Sequence, residues 1–162
     1  MNKTAMGLLL ALGVMSGAQA ASVIEVGQAW SRMTAPSVPM GAIFVELKNT
    51  GDADDVLVSA TTARSPQVEL HTTIDDNGVM RMREVAGGIA LPKGQTVSLK
   101  PGGYHIMLMK LPKPLVLNDE YQVTLKFKQA PSQTVNVKVN NGVGMVNGMA
   151  AKAMDHSGHG GH

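Results

Sequence analysis

The chain has 162 residues, with 14 basic and 12 acidic side chains and no cysteine. The absence of cysteine excludes disulfides and any reaction that uses a thiol. The near balance of charge, with scattered basic residues, argues against nucleic-acid binding, which needs a one-sided basic patch. A chain of this length fits one domain that buries a core without disulfides.

The first twenty residues predict a secretory signal peptide. Lys3 supplies the positive start, an apolar stretch runs from Met6 to Met15, and Ala18-Gln19-Ala20 is a small-x-small cleavage site. We expect cleavage after Ala20, and no lipid anchor because no cysteine follows it. No segment approaches about 18 uninterrupted apolar residues, so we expect an exported product that is not embedded in a membrane.

Residues 21–139 predict one all-β domain, a sandwich or small barrel. Apolar and polar residues alternate with a period of two, and Gly, Pro, Asn and Asp mark the breaks between short segments. We expect no helix. The predicted strands are Val23–Trp30, Ala42–Asn49, Val56–Thr61, Val68–Thr72, Val79–Val85, Thr96–Lys100, Tyr104–Lys110, Tyr121–Lys128 and Thr134–Val139.

The seventh predicted strand carries a candidate metal site. Alternation places His105, Met107 and Met109 on one face and Ile106 and Leu108 on the other. The branched pair suits the core, which leaves an imidazole and two thioethers on the opposite face. Imidazole and thioether together select copper, above all Cu(I), although methionines also fill gaps in cores.

A predicted hairpin contributes a second His and Met pair. The turn Asp75-Asp76-Asn77-Gly78 joins a strand with His71 to a strand with Met82. In a regular hairpin these side chains lie near each other, since directly paired Cβ atoms are about 5 Å apart. Met80 competes with Met82, because both lie on one face of the second strand. The candidate copper ligands are His71, Met82, His105 and Met107, with Met80 as the alternative to Met82.

The spacing of these ligands resembles the metal motif of the periplasmic copper chaperones called PCu(A)C. Ten residues separate the first His from the first Met, and twenty-two more precede a His-x-Met pair. The flanks Val68–His71, Gly78–Met82 and Lys100–Met109 also fit that family's pattern, and the resemblance extends from about Ala29 to Val139.

This resemblance implies a cupredoxin-like β-barrel that binds one Cu(I) through the four ligands at a shallow site. It implies a periplasmic location and delivery of copper for cytochrome c oxidase assembly, with a Sco-type protein or an oxidase subunit as acceptor. Four neutral protein ligands favour a monovalent ion and leave no open position for substrate. We expect a monomeric carrier without catalytic residues, or alternatively a copper buffer or resistance protein that sequesters excess metal.

The composition shifts to Gly, Ala, Met and His over residues 140–162, which predicts a flexible tail. One interpretation is a solubilising, disordered end. The other is a second copper site, where imidazoles favour Cu(II) and thioethers favour Cu(I). Its candidate ligands are Met145, Met149, Met154, His156, His159 and His162.

Overall fold

The structure is a computed structural model that describes residues 21–142, and within that range the chain forms strands and turns without a helix. The strands are β1 (Ile24–Val26), β2 (Ala29–Arg32), β3 (Met40–Asn49), β4 (Asp55–Thr61), β5 (Gln67–Asp76), β6 (Val79–Glu84), β7 (Ile89–Leu91), β8 (Thr96–Leu99), β9 (His105–Met109), β10 (Glu120–Phe127) and β11 (Gln133–Asn140). The predicted signal peptide and residues 143–162 of the predicted tail lie outside the described range. Between residues 21 and 142 there is also no helix long and apolar enough to cross a bilayer.

The long strand β3 connects two parts of the architecture. Its first half pairs with β9 and β2, and its second half pairs with β8 and β1. The main path of hydrogen-bonded strands runs β6-β5-β9-β3-β2-β11-β10-β4-β7. Among the strand pairs of residues 21–142, only β2 with β11 is parallel. The predicted all-β class is confirmed.

Strand β9 is buried on both faces. Ile106 and Leu108 have no exposed surface and belong to the hydrophobic core, as their alternation predicted. His105 and Met107 point to the opposite face and are also buried, at 4% and 8% exposure. The face of β9 that carries His105 and Met107 is therefore largely covered by other residues of the same chain.

The described part of the chain has eleven strands where the sequence predicts nine, for two reasons. The first predicted strand is divided at Gly27, whose N–H donates to the Glu46 carbonyl at 2.8 Å. This division lets β1 and β2 pair with different halves of β3. Strand β7 was missed because three residues, Ile89–Leu91, are too short to show a periodicity.

The hairpin of β5 and β6 has a tighter turn than the sequence suggested. Only Asn77 and Gly78 lie between the strands, both with positive φ, 55° and 85°, as a type I′ turn requires. A four-residue turn would have paired His71 directly with Met82. The observed turn pairs His71 with Glu84 and Thr73 with Met82. Because the register differs by two residues, every side chain stays on its predicted face, and His71 and Met82 become diagonal neighbours.

Candidate metal centre

The two histidines of the described residues lie directly opposite each other. His71 on β5 pairs with His105 on β9, and their ring centroids are 5.8 Å apart. Both side chains are largely shielded, since 14% of the His71 side chain and 4% of His105 are exposed. The sequence predicts that each histidine lies in a strand. It does not predict that these two strands are neighbours, so the direct pairing of the histidines is known only from the structure.

Each imidazole has one ring nitrogen held by a hydrogen bond. His105 Nδ1 lies 3.0 Å from the Gly103 carbonyl oxygen, and His71 Nε2 lies 2.9 Å from a carboxylate oxygen of Glu69. Because both partners are oxygen atoms that only accept hydrogen bonds, these two ring nitrogens carry the N–H groups. The remaining nitrogens, His71 Nδ1 and His105 Nε2, are buried and have no hydrogen-bond partner in the described part of the chain. Metal-ligating histidines have this arrangement, with one nitrogen donating and the other free to coordinate.

Glu69 is a site residue that the sequence reasoning missed. Its carboxylate accepts hydrogen bonds from His71 and from the Gln67 amide, the latter at 2.6 Å. These two hydrogen bonds lower the pKa of Glu69, so it stays ionised. The available signal was the spacing Glu69-x-His71, because residues two apart in a strand share a face.

Met107 is the buried thioether of the candidate site. It lies two residues after His105 on the same face of β9, opposite Glu69 on β5 and Ala42 on β3. With neighbours on both sides, its side chain is only 8% exposed. A thioether in this position is held close to the His pair by the sheet itself.

Met82 lies at the edge of the sheet on β6 and is 59% exposed. It pairs with Thr73 and lines a cleft together with His105 and Met107. Met80 is equally exposed, at 60%, but pairs with Asp75, one step further from His71. The register therefore favours Met82 over Met80 as the thioether nearest the His pair.

The cleft beside the histidines has a volume of about 390 Å³ and a mainly apolar lining. Phe44 forms part of its wall, 6.4 Å from the His105 ring centroid. Met33 and Val38, from the loop before β3, and Met40 also line it. Sequence reasoning missed this cleft because loop residues show no periodicity that assigns them to a face.

The protonation state of His105 suits coordination. Burial lowers the pKa of His105 below its ordinary value of 6.5, and the nearby His71 lowers it further, against the opposing effect of the Gly103 hydrogen bond. The imidazole is therefore neutral near pH 7. A neutral ring is required for a lone pair to bind a metal.

Residues 21–142 contain no group of three or more His, Cys, Asp and Glu side chains placed to hold a metal ion. The described part of the chain thus lacks the carboxylate-rich set that hard cations prefer. What it brings together is two imidazoles and two thioethers, a soft donor set. The six candidate ligands of the tail lie outside the described residues.

Comparison with known protein families gives a match over most of the described chain. The family model with the description "Putative lipoprotein LpqE-like" matches residues 24–139. A protein of Leifsonia xyli subsp. xyli, named "Putative lipoprotein Lxx21020", is 37% identical over 118 residues, which are 73% of this chain and 70% of that protein. An uncharacterized protein of Rickettsia prowazekii is 33% identical over 125 residues, 75% of this chain and 69% of its own length.

Solved structures share the fold. The solution structure of Cu(I)-DR1885 from Deinococcus radiodurans has a TM-score of 0.61 and 30% identity, over 79% of this chain and 85% of that one. The copper-bound PCuAC domain from PmoF2 has a TM-score of 0.61 and 22% identity, over 72% of this chain and 92% of that domain. The predicted cupredoxin-like fold and the resemblance to PCu(A)C domains are confirmed.

Proposed function

Because the chain belongs to the LpqE-like family and has the fold of PCuAC domains, we propose that it is an exported copper carrier. In this proposal His71, Met82, His105 and Met107 bind one Cu(I). The observation that carries it is the pair of buried nitrogens, His71 Nδ1 and His105 Nε2, without hydrogen-bond partners among residues 21–142. Buried polar atoms are rarely left unpaired, and a metal ion would satisfy both. Copper in two of the structural relatives supports the identity of the ion.

The donor set favours Cu(I) over divalent ions. Two imidazoles and two thioethers are neutral, so they suit a soft ion of low charge. Glu69 adds a negative charge beside the site, since its carboxylate holds His71 Nε2. Its oxygens are engaged by His71 and Gln67, so Glu69 acts as a positioning residue and not as a ligand. The carboxylate also compensates the charge of the bound ion.

The unequal burial of the two thioethers gives a route for releasing the metal. Met107 is held between β5 and β3, whereas Met82 is 59% exposed at the sheet edge. An incoming thiolate therefore replaces Met82 first and Met107 later. Copper passes by ligand exchange to a Sco-type protein or an oxidase subunit, and supplies the metal centres of cytochrome c oxidase. Such a site carries its metal as cargo and performs no catalysis.

The same proposal includes a periplasmic location after cleavage at Ala20, and a monomeric state. It also includes the tail as a second copper site, with Met145, Met149, Met154, His156, His159 and His162 as ligands. The alternative function, a buffer that sequesters excess copper, is favoured by the three tail histidines, which recur at every third residue. Delivery and buffering share the main site and differ in the fate of the metal.

Metal transfer under anaerobic conditions tests the proposal. The full chain is loaded with one equivalent of Cu(I), mixed with a reduced Sco-type protein or an oxidase subunit with a thiol pair, and separated. Copper recovered with the acceptor supports delivery, and copper retained on this chain supports buffering. Failure of the chain to hold any Cu(I) against a weak chromogenic chelator contradicts both functions.

A further inference from the structure

An exposed apolar surface adjoins the candidate metal centre. Met33, Val38 and Met40 line the cleft and are 45%, 41% and 43% exposed. Exposed Met82 extends this surface to the edge strand β6. A contiguous apolar patch that includes a cleft marks a surface where another chain segment binds.

The described chain ends at the rim of this cleft. Strand β11 runs parallel to β2, with Asn140 opposite Arg32, and the Met33 N–H donates to the Asn140 carbonyl at 2.8 Å. Gly142 lies against the Arg32 guanidinium, since a Cβ at this glycine would be 2.5 Å from Arg32 Nε. Arg32 and Met33 both line the cleft. The described part of the chain therefore ends, at Gly142, beside the exposed apolar surface.

The residues that follow suit the cleft chemically. Residues 143–151 read Val-Gly-Met-Val-Asn-Gly-Met-Ala-Ala, and the first charged side chain is Lys152. Fully extended, nine residues span at most about 30 Å, so several side chains can reach the cleft from Gly142. Flexible methionine side chains adapt well to irregular apolar surfaces, and the lining of the cleft already includes thioethers.

We propose that residues 143–151 dock into the cleft of their own molecule, with Met145 and Met149 packing against Met33, Val38 and Met40. The covalent connection places this segment at an effective concentration in the millimolar range, so a weak apolar contact is sufficient. A second copy is a poorer occupant, since a stable dimer buries about 800 Å² on each partner, more than one small cleft supplies. Docking covers the exposed apolar surface. It requires no metal and does not depend on the proposed copper function.

The test uses the metal-free full chain. Because the chain has no cysteine, Val146→Cys provides a unique position for a nitroxide label. We expect the label to broaden the methyl signals of Met33 and Met40 severalfold. The amide of Val58 should keep its intensity, because β4 lies three strands from β2 in the sheet order. A second substitution, Val38→Asp, should restore the Met33 and Met40 signals, and Val58→Asp should not.

Equal intensities at Met33 and Val58 would overturn the proposal. So would broadening that arises between molecules, detected by mixing nitroxide-labelled chain with a separate isotope-labelled chain. Val38 and Val58 are exposed, so neither substitution removes core packing. A folded spectrum for both variants, with the signals of Met33 and Met40 unaffected by Val38→Asp, would also contradict docking at this cleft.

Discussion

His71 and His105 face each other across the β5 and β9 ladder, with ring centroids 5.8 Å apart. Their rings are fixed by different acceptors, the carboxylate of Glu69 and the carbonyl of Gly103. The free nitrogens consequently differ, Nδ1 in His71 and Nε2 in His105. Two rings held in this way lose little freedom when a metal binds, which favours a preorganised site.

The register of β6 predicts which exposed methionine binds copper. Met82→Leu, which keeps the side-chain volume, should weaken Cu(I) binding by at least about tenfold, or roughly 1.4 kcal/mol. Met80→Leu is the matched control, because the two side chains are 59% and 60% exposed on one face of one strand. The control should bind like the unmodified chain. Competition with a chromogenic Cu(I) chelator under anaerobic conditions measures both affinities.

Equal losses in the two variants would show that Met80 serves as well as Met82, contrary to the pairing of Met82 with Thr73. Unchanged affinity in both would remove the exposed thioether from the site. Either result would also change the proposed order of ligand exchange, because that order begins at Met82.

Glu69 should affect copper binding without touching the metal. Glu69→Gln removes the charge that orients His71 and compensates the ion, and loss of such a partner typically costs about 10- to 100-fold in metal affinity. Glu84→Gln is the control. Glu84 lies on β6, is directly paired with His71 and is exposed. Chelator competition should show the loss for Glu69→Gln only. Similar losses for both variants would indicate a general charge effect instead of a positioning role.

Copper affinity should depend on pH in a defined direction. Only a neutral imidazole can coordinate, so protons compete with Cu(I). Burial and the neighbouring His71 lower the pKa of His105 below 6.5. Its protonation therefore weakens binding only as the pH falls below that value. Titrations from pH 8 downward, corrected for the pH dependence of the chelator, test this, and Cu(I) affinity that rises as the pH falls would contradict imidazole ligation.

A separate prediction concerns the stability of the fold. Asp55 is buried, and burial alone raises the pKa of its carboxyl group. Hydrogen bonds from the Ser22 hydroxyl at 2.6 Å, the Ala130 N–H at 2.8 Å and the Gln129 N–H at 2.9 Å outweigh this effect. The net pKa lies below the ordinary 3.8, so the ionised carboxylate stabilises the fold above that pH. This contribution is lost as the pH falls through the lowered value.

Asp55→Asn should therefore lower the free energy of unfolding at pH 7 by about 1 to 3 kcal/mol, since the amide replaces one acceptor oxygen by a donor. Urea denaturation measures the change, with Asp52→Asn as an exposed control. The difference from the unmodified chain should shrink below pH 3.8. An unchanged difference at low pH would mean that the charge of Asp55 does not stabilise the fold.

Much of the site could be predicted because strand alternation is local. The period of two assigned Ile106 and Leu108 to the core and left His105 and Met107 on the other face, as the structure shows. The register between β5 and β6 was harder to predict, because the turn sequence permits either two or four connecting residues. An error of two residues preserves the faces, so it changed the pairing of Met82 but not its side of the sheet.

Other features depend on contacts distant in sequence. The His71 and His105 pairing requires β5 and β9 to be neighbours, and no local pattern specifies that order. The cleft combines the loop residues Met33 and Val38 with strands from elsewhere in the chain. Glu69 is different, because its spacing from His71 is visible in the sequence. Only the hydrogen bond between the two side chains identifies Glu69 as a residue that orients His71.

The most direct test of the copper site is nitrogen NMR of the histidine rings, because Cu(I) is diamagnetic. The full chain, labelled with ¹⁵N-histidine, is titrated with Cu(I) without oxygen. We expect large shifts of His71 Nδ1 and His105 Nε2, while His71 Nε2 and His105 Nδ1 keep their protons. Shifts confined to the tail histidines, or coordination through the opposite ring nitrogens, would contradict the proposed site.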